Sequence, residues 1–231
     1  MNLVDRLFDH LDDWRHLPNY QLERRADVFF SLYLAGVLAA KYCCAIQPII
    51  VPEFPLRIGS ITNPENANKS FKVDYFALSE HGDQAFLVEL KTDSTSRREK
   101  QDWYLRKASE AGLKTLLRGV LDIFAATAAK RKYYHLLLLL EELKLLAIPP
   151  FMKELARKDS LVGITEASRG VIVECGEVTP RIVYIQPHGD SENSISFNFF
   201  ANVVRRHDDE LSVRFAKSLD AWAGSRAGSD V

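Results

Sequence analysis

Two runs of branched and aromatic residues, Lys72 to Leu78 and Gln84 to Lys91, flank the dipeptide His81-Gly82, and no other feature limits this chain's fold so tightly. Such runs, separated by a short turn containing glycine, read as the paired strands of a β-hairpin. Glycine supplies the positive φ that tight hairpin turns require, and histidine tolerates it better than most residues. A hairpin symmetric about His81-Gly82 pairs residues whose numbers share one total: Leu78 faces Ala85, Phe76 faces Leu87, and Asp74 faces Glu89. Directly opposed side chains share a sheet face, and Lys91, two residues beyond Glu89, shares it as well. A slip of one residue would turn Asp74 to the opposite face.

That register gathers two carboxylates and an ammonium at one point. Two adjacent carboxylates repel each other, and the surrounding strands are apolar, so the pair calls for a compensating cation. Mg²⁺ takes one or two protein carboxylates and keeps several waters. A bound metal of this kind acidifies one of those waters and clamps phosphate oxygens, while Lys91 beside it stabilises negative charge as it develops. The plainer alternative is a surface ion cluster in which Lys91 merely neutralises its neighbours. Spacing alone does not separate the two, because an Asp followed at this distance by Glu-x-Lys is a frequent chance pattern.

The chain has 231 residues, 47% hydrophobic and 26% charged, which fits a globular protein with ample core. Its formal net charge of −1 provides no global basic field, so any nucleic-acid contact relies on local patches. Cys43, Cys44 and Cys175 form neither a disulfide framework nor a zinc pattern and read as buried thiols in a reducing cytosol. The acid-rich N-terminus lacks the apolar core of a signal peptide. The run Leu136 to Leu140 is far shorter than the roughly 20 residues that cross a bilayer. A cytoplasmic protein without membrane contact is expected.

The periodicity predicts a helix from about Tyr20 to Lys41 with Asn19 as N-cap; Leu22, Ala26, Phe29, Phe30, Tyr33, Leu34, Val37 and Leu38 form its buried face. Ala45 to Arg57 reads as an extended edge segment because of Pro48, Pro52 and Pro55. After the hairpin, a helix capped by Ser94, Thr95 or Ser96 should reach about Lys130, interrupted near Gly112 or Gly119. Tyr133 to Leu146 reads as a buried helix, Pro149-Pro150 as a break, and Phe151 to Lys158 as a short helix. Val171 to Cys175 and Arg181 to Gln186 read as strands about a Gly176 to Pro180 turn, and Phe197 to Trp222 as a closing helix before a frayed tail.

The order of these elements, together with Asp74 and Glu89-Leu90-Lys91, resembles the PD-(D/E)xK nuclease superfamily, whose restriction-endonuclease-like core runs helix, three strands, helix, strand. The resemblance implies one α/β domain over 1–231, with a central mixed β-sheet flanked by helices. Its core would cover about 19–130 plus strands at about 171–187, with a helical insert at about 131–158 and the C-terminal helix at about 197–222. The proline that precedes the family's acid is absent, and Val73 stands there. Gln101 and Tyr104 look like the Gln-x-x-Tyr signature of the RecB-like exonuclease branch; three apart on a helix, they share a face. By the same resemblance, Asp74, Glu89 and the Leu90 carbonyl would hold Mg²⁺ or Mn²⁺. Lys91 would assist the attacking water, and Glu23, with Asp27 in reserve, would reach the metal from the first helix.

Arg97, Arg98, Lys100, Trp103 and Lys72 cluster near this motif and offer charges for phosphates and an aromatic surface for bases. Glu99, Asp102 and Glu110 interleave with them, as on an ordinary solvated face. The expected partner is nucleic acid, DNA in preference to RNA, with room for a protein partner or a homodimer. No Gly-rich phosphate loop ending in Gly-Lys-Ser/Thr and no Gly-x-Ser-x-Gly elbow is present. The rival expectation is an inactive member of the same fold that acts as a nucleic-acid-binding or protein-interaction subunit.

Overall fold

A computed structural model describes residues 2–62, 69–92, 98–158 and 161–224. It shows a mixed α/β fold in which helices flank a central five-stranded sheet. The first strand is β1 (Val51–Arg57), followed by β2 (Ser70–Leu78) and β3 (Ala85–Leu90); β6 (Arg181–Gln186) and β7 (Ser194–Ser196) complete the order β1-β2-β3-β6-β7. β1 and β2 are antiparallel, and β6 and β7 are parallel. The edge position of β1 accommodates Pro52 and Pro55, which cannot donate to a second neighbour. A separate two-stranded ribbon joins β4 (Leu146–Ala147) to β5 (Ile172–Val173).

The hairpin forms between the expected strands. The Ser79 amide donates to the Gln84 carbonyl at 2.8 Å, and the Gly82 amide donates back to Ser79 at 3.0 Å, closing a four-residue turn over Glu80 to Asp83. Gly82 takes φ +72, whereas His81 is not among the residues of positive φ, so glycine alone relieves this turn. The Ser79 hydroxyl adds a bond to the Asp83 carboxylate at 2.6 Å, which holds that acid below the usual carboxylate range.

The chain divides into two compact units, 1–46 with 88–99 and 182–231, and 47–87 with 100–181. In the first, α1 (Leu3–Trp14), α2 (Leu22–Tyr42), α9 (Phe197–Val204) and α10 (Glu210–Gly224) enclose Phe8, Phe30, Phe197, Phe200, Phe215 and Trp222, all fully buried. Phe30 meets Phe215 edge-on at 5.3 Å, a favoured aromatic geometry. Arg214 of α10 is also buried here. Its guanidinium donates to Asp9 at 2.8 Å, Asp12 at 2.7 Å and Ser218 at 2.6 Å, and the Trp222 indole donates to Asp12 at 2.7 Å. Burial opposes this charge, but the bonds to Asp12 and Asp9 prevail and raise the Arg214 pKa above its ordinary value.

In the second unit, α3 (Ile58–Ile61), α4 (Glu99–Ala111, from Lys100 on), α5 (Leu113–Ala126), α6 (Lys130–Glu142), α7 (Pro150–Ala156) and α8 (Ile164–Ala167) accompany β1, β2 and the ribbon. The predicted long helix breaks at Gly112, φ +78, between α4 and α5. Gly119 does not break α5; a Cβ there would lie 3.0 Å from Ser60 Oγ and 3.2 Å from Arg57 Cβ, so its lack of a side chain permits close packing.

Several expectations are corrected. Asn19 lies at φ +62 outside the helix, which starts at Leu22 after Gln21, whose side chain makes no capping bond. Phe29 is only half-buried, while the other seven residues predicted for that helix face are buried. The Tyr133 helix ends at Glu142, and Lys144, at φ +59, turns the chain into β4. The strands near Val171 and Arg181 pair in different sheets and form no hairpin. The closing helix is two helices, because Asp209 caps a new one, accepting from the Ser212 amide at 3.0 Å. No cysteine is buried: Cys43 is exposed at the end of α2, and Cys44 and Cys175 are half-buried. The helix caps sought at Ser94 to Ser96 and most of the tail lie outside the described residues. Among the described residues, no helix is long and apolar enough to cross a membrane.

Candidate functional site

Glu89 is the fifth residue of the wholly buried strand β3, and Lys91 follows its last residue. The Lys91 amide donates to the Ile185 carbonyl of β6 at 2.8 Å, which fixes the backbone at this end of the strand. Lys91 Nζ donates to Glu89 Oε1 at 2.9 Å, with side chains only 8% and 4% exposed. Charged side chains are rarely this buried unless paired, and the period of two along the strand brings this pair together.

Glu23 reaches the same stretch of chain from the first turn of α2. Its Oε1 accepts the Thr92 amide at 3.2 Å, one residue beyond Lys91. Around this contact lies a polar cavity of about 330 Å³ lined by Arg15, Tyr20, Gln21, Glu23, Arg24 and Thr92. The reading by spacing alone passed over Arg15, Gln21 and Arg24. The adjacent basic pair Arg24-Arg25 directly after Glu23 was the available signal. Asp27, one turn further, is exposed and accepts from the Val28 amide at 2.7 Å.

Asp74 is half-buried on β2, where the strand passes from an exposed alternation at Ser70 and Lys72 to the continuously buried run Tyr75 to Leu78. The turn bond between Ser79 and Gln84 joins residues whose numbers have the same total as Asp74 and Glu89. Gln101 and Tyr104 are both half-buried on α4, as is Asp102 between them. The Tyr104 ring stacks on Phe71 of β2 at 6.0 Å, which brings it to the strand carrying Asp74.

Of the expected nucleic-acid contacts, Arg98 and Lys100 are exposed, and Trp103 is 41% exposed with its ring edge-on to Tyr104 at 5.0 Å. Lys72 is exposed but paired with Glu53 at 2.7 Å. Arg97 lies outside the described residues. Among the described residues, no three His, Cys, Asp or Glu side chains form a metal cage. Neither family models, curated proteins nor solved structures match this chain.

Proposed function

We infer that this chain is a cytoplasmic, Mg²⁺- or Mn²⁺-dependent nuclease of restriction-endonuclease-like fold that hydrolyses phosphodiester bonds, in DNA in preference to RNA. The buried Lys91–Glu89 pair at 2.9 Å carries the reading. The two charges lie two residues apart at the end of β3, and burying them is costly. A site that handles negative charge gives that cost a use. The order α2, β1, β2, β3, α4, β6, with β6 beside β3, supports the same core arrangement.

In this reading the hairpin register continues along the strands without a bulge and sets Asp74 opposite Glu89. These two carboxylates and the Leu90 carbonyl would hold the metal, with Glu23 as a further ligand, and the metal would supply an acidified water and neutralise phosphate oxygens. Lys91 places its ammonium where charge gathers as the water oxygen bonds to phosphorus and one P–O ester bond breaks, the leaving oxygen taking up a proton. Gln101 and Tyr104 position these groups. Arg98, Lys100 and Trp103, with Arg97 and Lys72, track the nucleic-acid strand, and Arg15 and Arg24 in the polar cavity add positive charge beside Glu23.

The test is cleavage of single- and double-stranded DNA and RNA with Mg²⁺ and with Mn²⁺, beside Asp74→Ala and Lys91→Ala. Metal-dependent cleavage lost in both variants is expected. Cleavage unchanged in either one would reject the assignment. A non-catalytic interaction subunit is the second reading, favoured by the exposed apolar side chains of α1 and α2; its mark is the absence of cleavage with every substrate and metal.

A further inference from the structure

The outer face of α1 is built for contact. Leu3, Leu7 and Trp14 are 77%, 43% and 44% exposed, and His10, also exposed, completes the series 3, 7, 10, 14. Steps of four, three and four residues draw one apolar seam along a helix, the spacing of a coiled-coil contact. The other sides of α1 are already used: Phe8 and Leu11 are buried, and Asp9 and Asp12 bind Arg214. Val28 and Leu32, 55% and 60% exposed on α2, widen the apolar face, and a cavity of about 400 Å³ opens between the two helices. A surface of this extent on the first two helices marks a docking site.

We propose that its occupant is a second copy of this chain, with α1 packed antiparallel on α1 across a two-fold axis near Leu7 and His10. Charge complementarity selects this partner. Arg6 and Asp13 are exposed, neither forms an ion pair within the described residues, and both flank the seam on the same side. A two-fold axis brings each flank of one helix against the same flank of its mate. Centring the pairing between Leu7 and His10 sets Leu3 opposite Trp14 and Leu7 opposite His10. Arg6 of one copy then falls about 3 Å along the axis from Asp13 of the other, at 1.5 Å per residue. Both copies thus satisfy the charge the other leaves unpaired. This inference is independent of the nuclease reading.

Light scattering coupled to size exclusion on the full chain, loaded at about 50 µM to detect micromolar affinity, tests it. A mass twice 26.2 kDa is expected. Leu7→Asp should weaken association by about 100-fold and give a monomer. Arg6→Glu should weaken it about tenfold, and adding Asp13→Arg should restore it. Circular dichroism and a cooperative melt confirm folding, and the exposed Arg6 and Asp13 variants keep the test decisive if Leu7→Asp does not fold. A parent monomer at this loading, a dimer indifferent to these substitutions, or a double charge reversal no better than the single one would overturn the proposal.

Discussion

Two buried cations in this protein, Arg214 and Lys91, have equal exposure and pair with acids at very different distances along the chain. Arg214 binds acids 202 and 205 residues away, joining the N-terminal helix to the C-terminal one through a rigid guanidinium fork. The Lys91 contact with Glu89 spans two residues of one strand. Burying a cation is justified structurally in the first case, because it ties α1 to α10. In the second the contact itself is local, and a flexible point charge stands where a planar fork would give better pairing. In the proposed nuclease that ammonium serves the chemistry.

Substitutions at the two positions should therefore separate activity from stability. The largest effect is expected at Lys91→Ala, which should slow metal-dependent cleavage by about 10²–10³-fold in single-turnover assays, the cost of losing one group that stabilises developing charge. Arg214→Met should instead cost about 2 kcal/mol in urea unfolding, through loss of its charge-assisted bonds to Asp9, Asp12 and Ser218, while cleavage per folded molecule stays unchanged. Activity falling in step with stability would erase the distinction.

Replacing both members of the strand pair, Glu89→Gln with Lys91→Met, should leave unfolding free energy within about 1 kcal/mol of the parent or raise it, while abolishing cleavage. A loss as large as that of Arg214→Met would make the pair structural after all. The smallest effect lies at the start of α10. Hydrogen bonds from the Ser212 side chain and amide hold the Asp209 carboxyl below its usual 3.8, so its folded pKa is depressed. Its contribution is therefore present above that value and lost as pH falls through the lower folded one. Thermal melts between about pH 2 and 5 should show this slope in the parent and lack it in Asp209→Asn.

The sequence made the hairpin legible because strand periodicity and a glycine turn point to the same register, and it made β1 legible because its prolines suit an edge. The break at Gly112 followed from the same backbone chemistry. α1 escaped notice because only Phe8 and Leu11 of its apolar residues are buried, and its acids acquire meaning only beside Arg214. β4 and β5 span two residues each, too few for any period, and their pairing depends on the fold around them. The division of the last helix was readable in Asp209, an acid three residues before Ser212, but the apolar run around it outweighed that signal. At the site, Glu89 and Lys91 were legible as neighbours two residues apart at the end of β3. The approach of Glu23 to Thr92 crosses 69 residues, beyond the reach of any spacing argument, and only the family resemblance pointed to it.

A crystal soaked in Mn²⁺ tests the central claim most directly. The account predicts an anomalous peak about 2.1 Å from carboxylate oxygens of both Asp74 and Glu89, with Lys91 Nζ facing a metal-bound water. An Asp74 side chain turned to the other face of β2, with no metal beside Glu89, would contradict it.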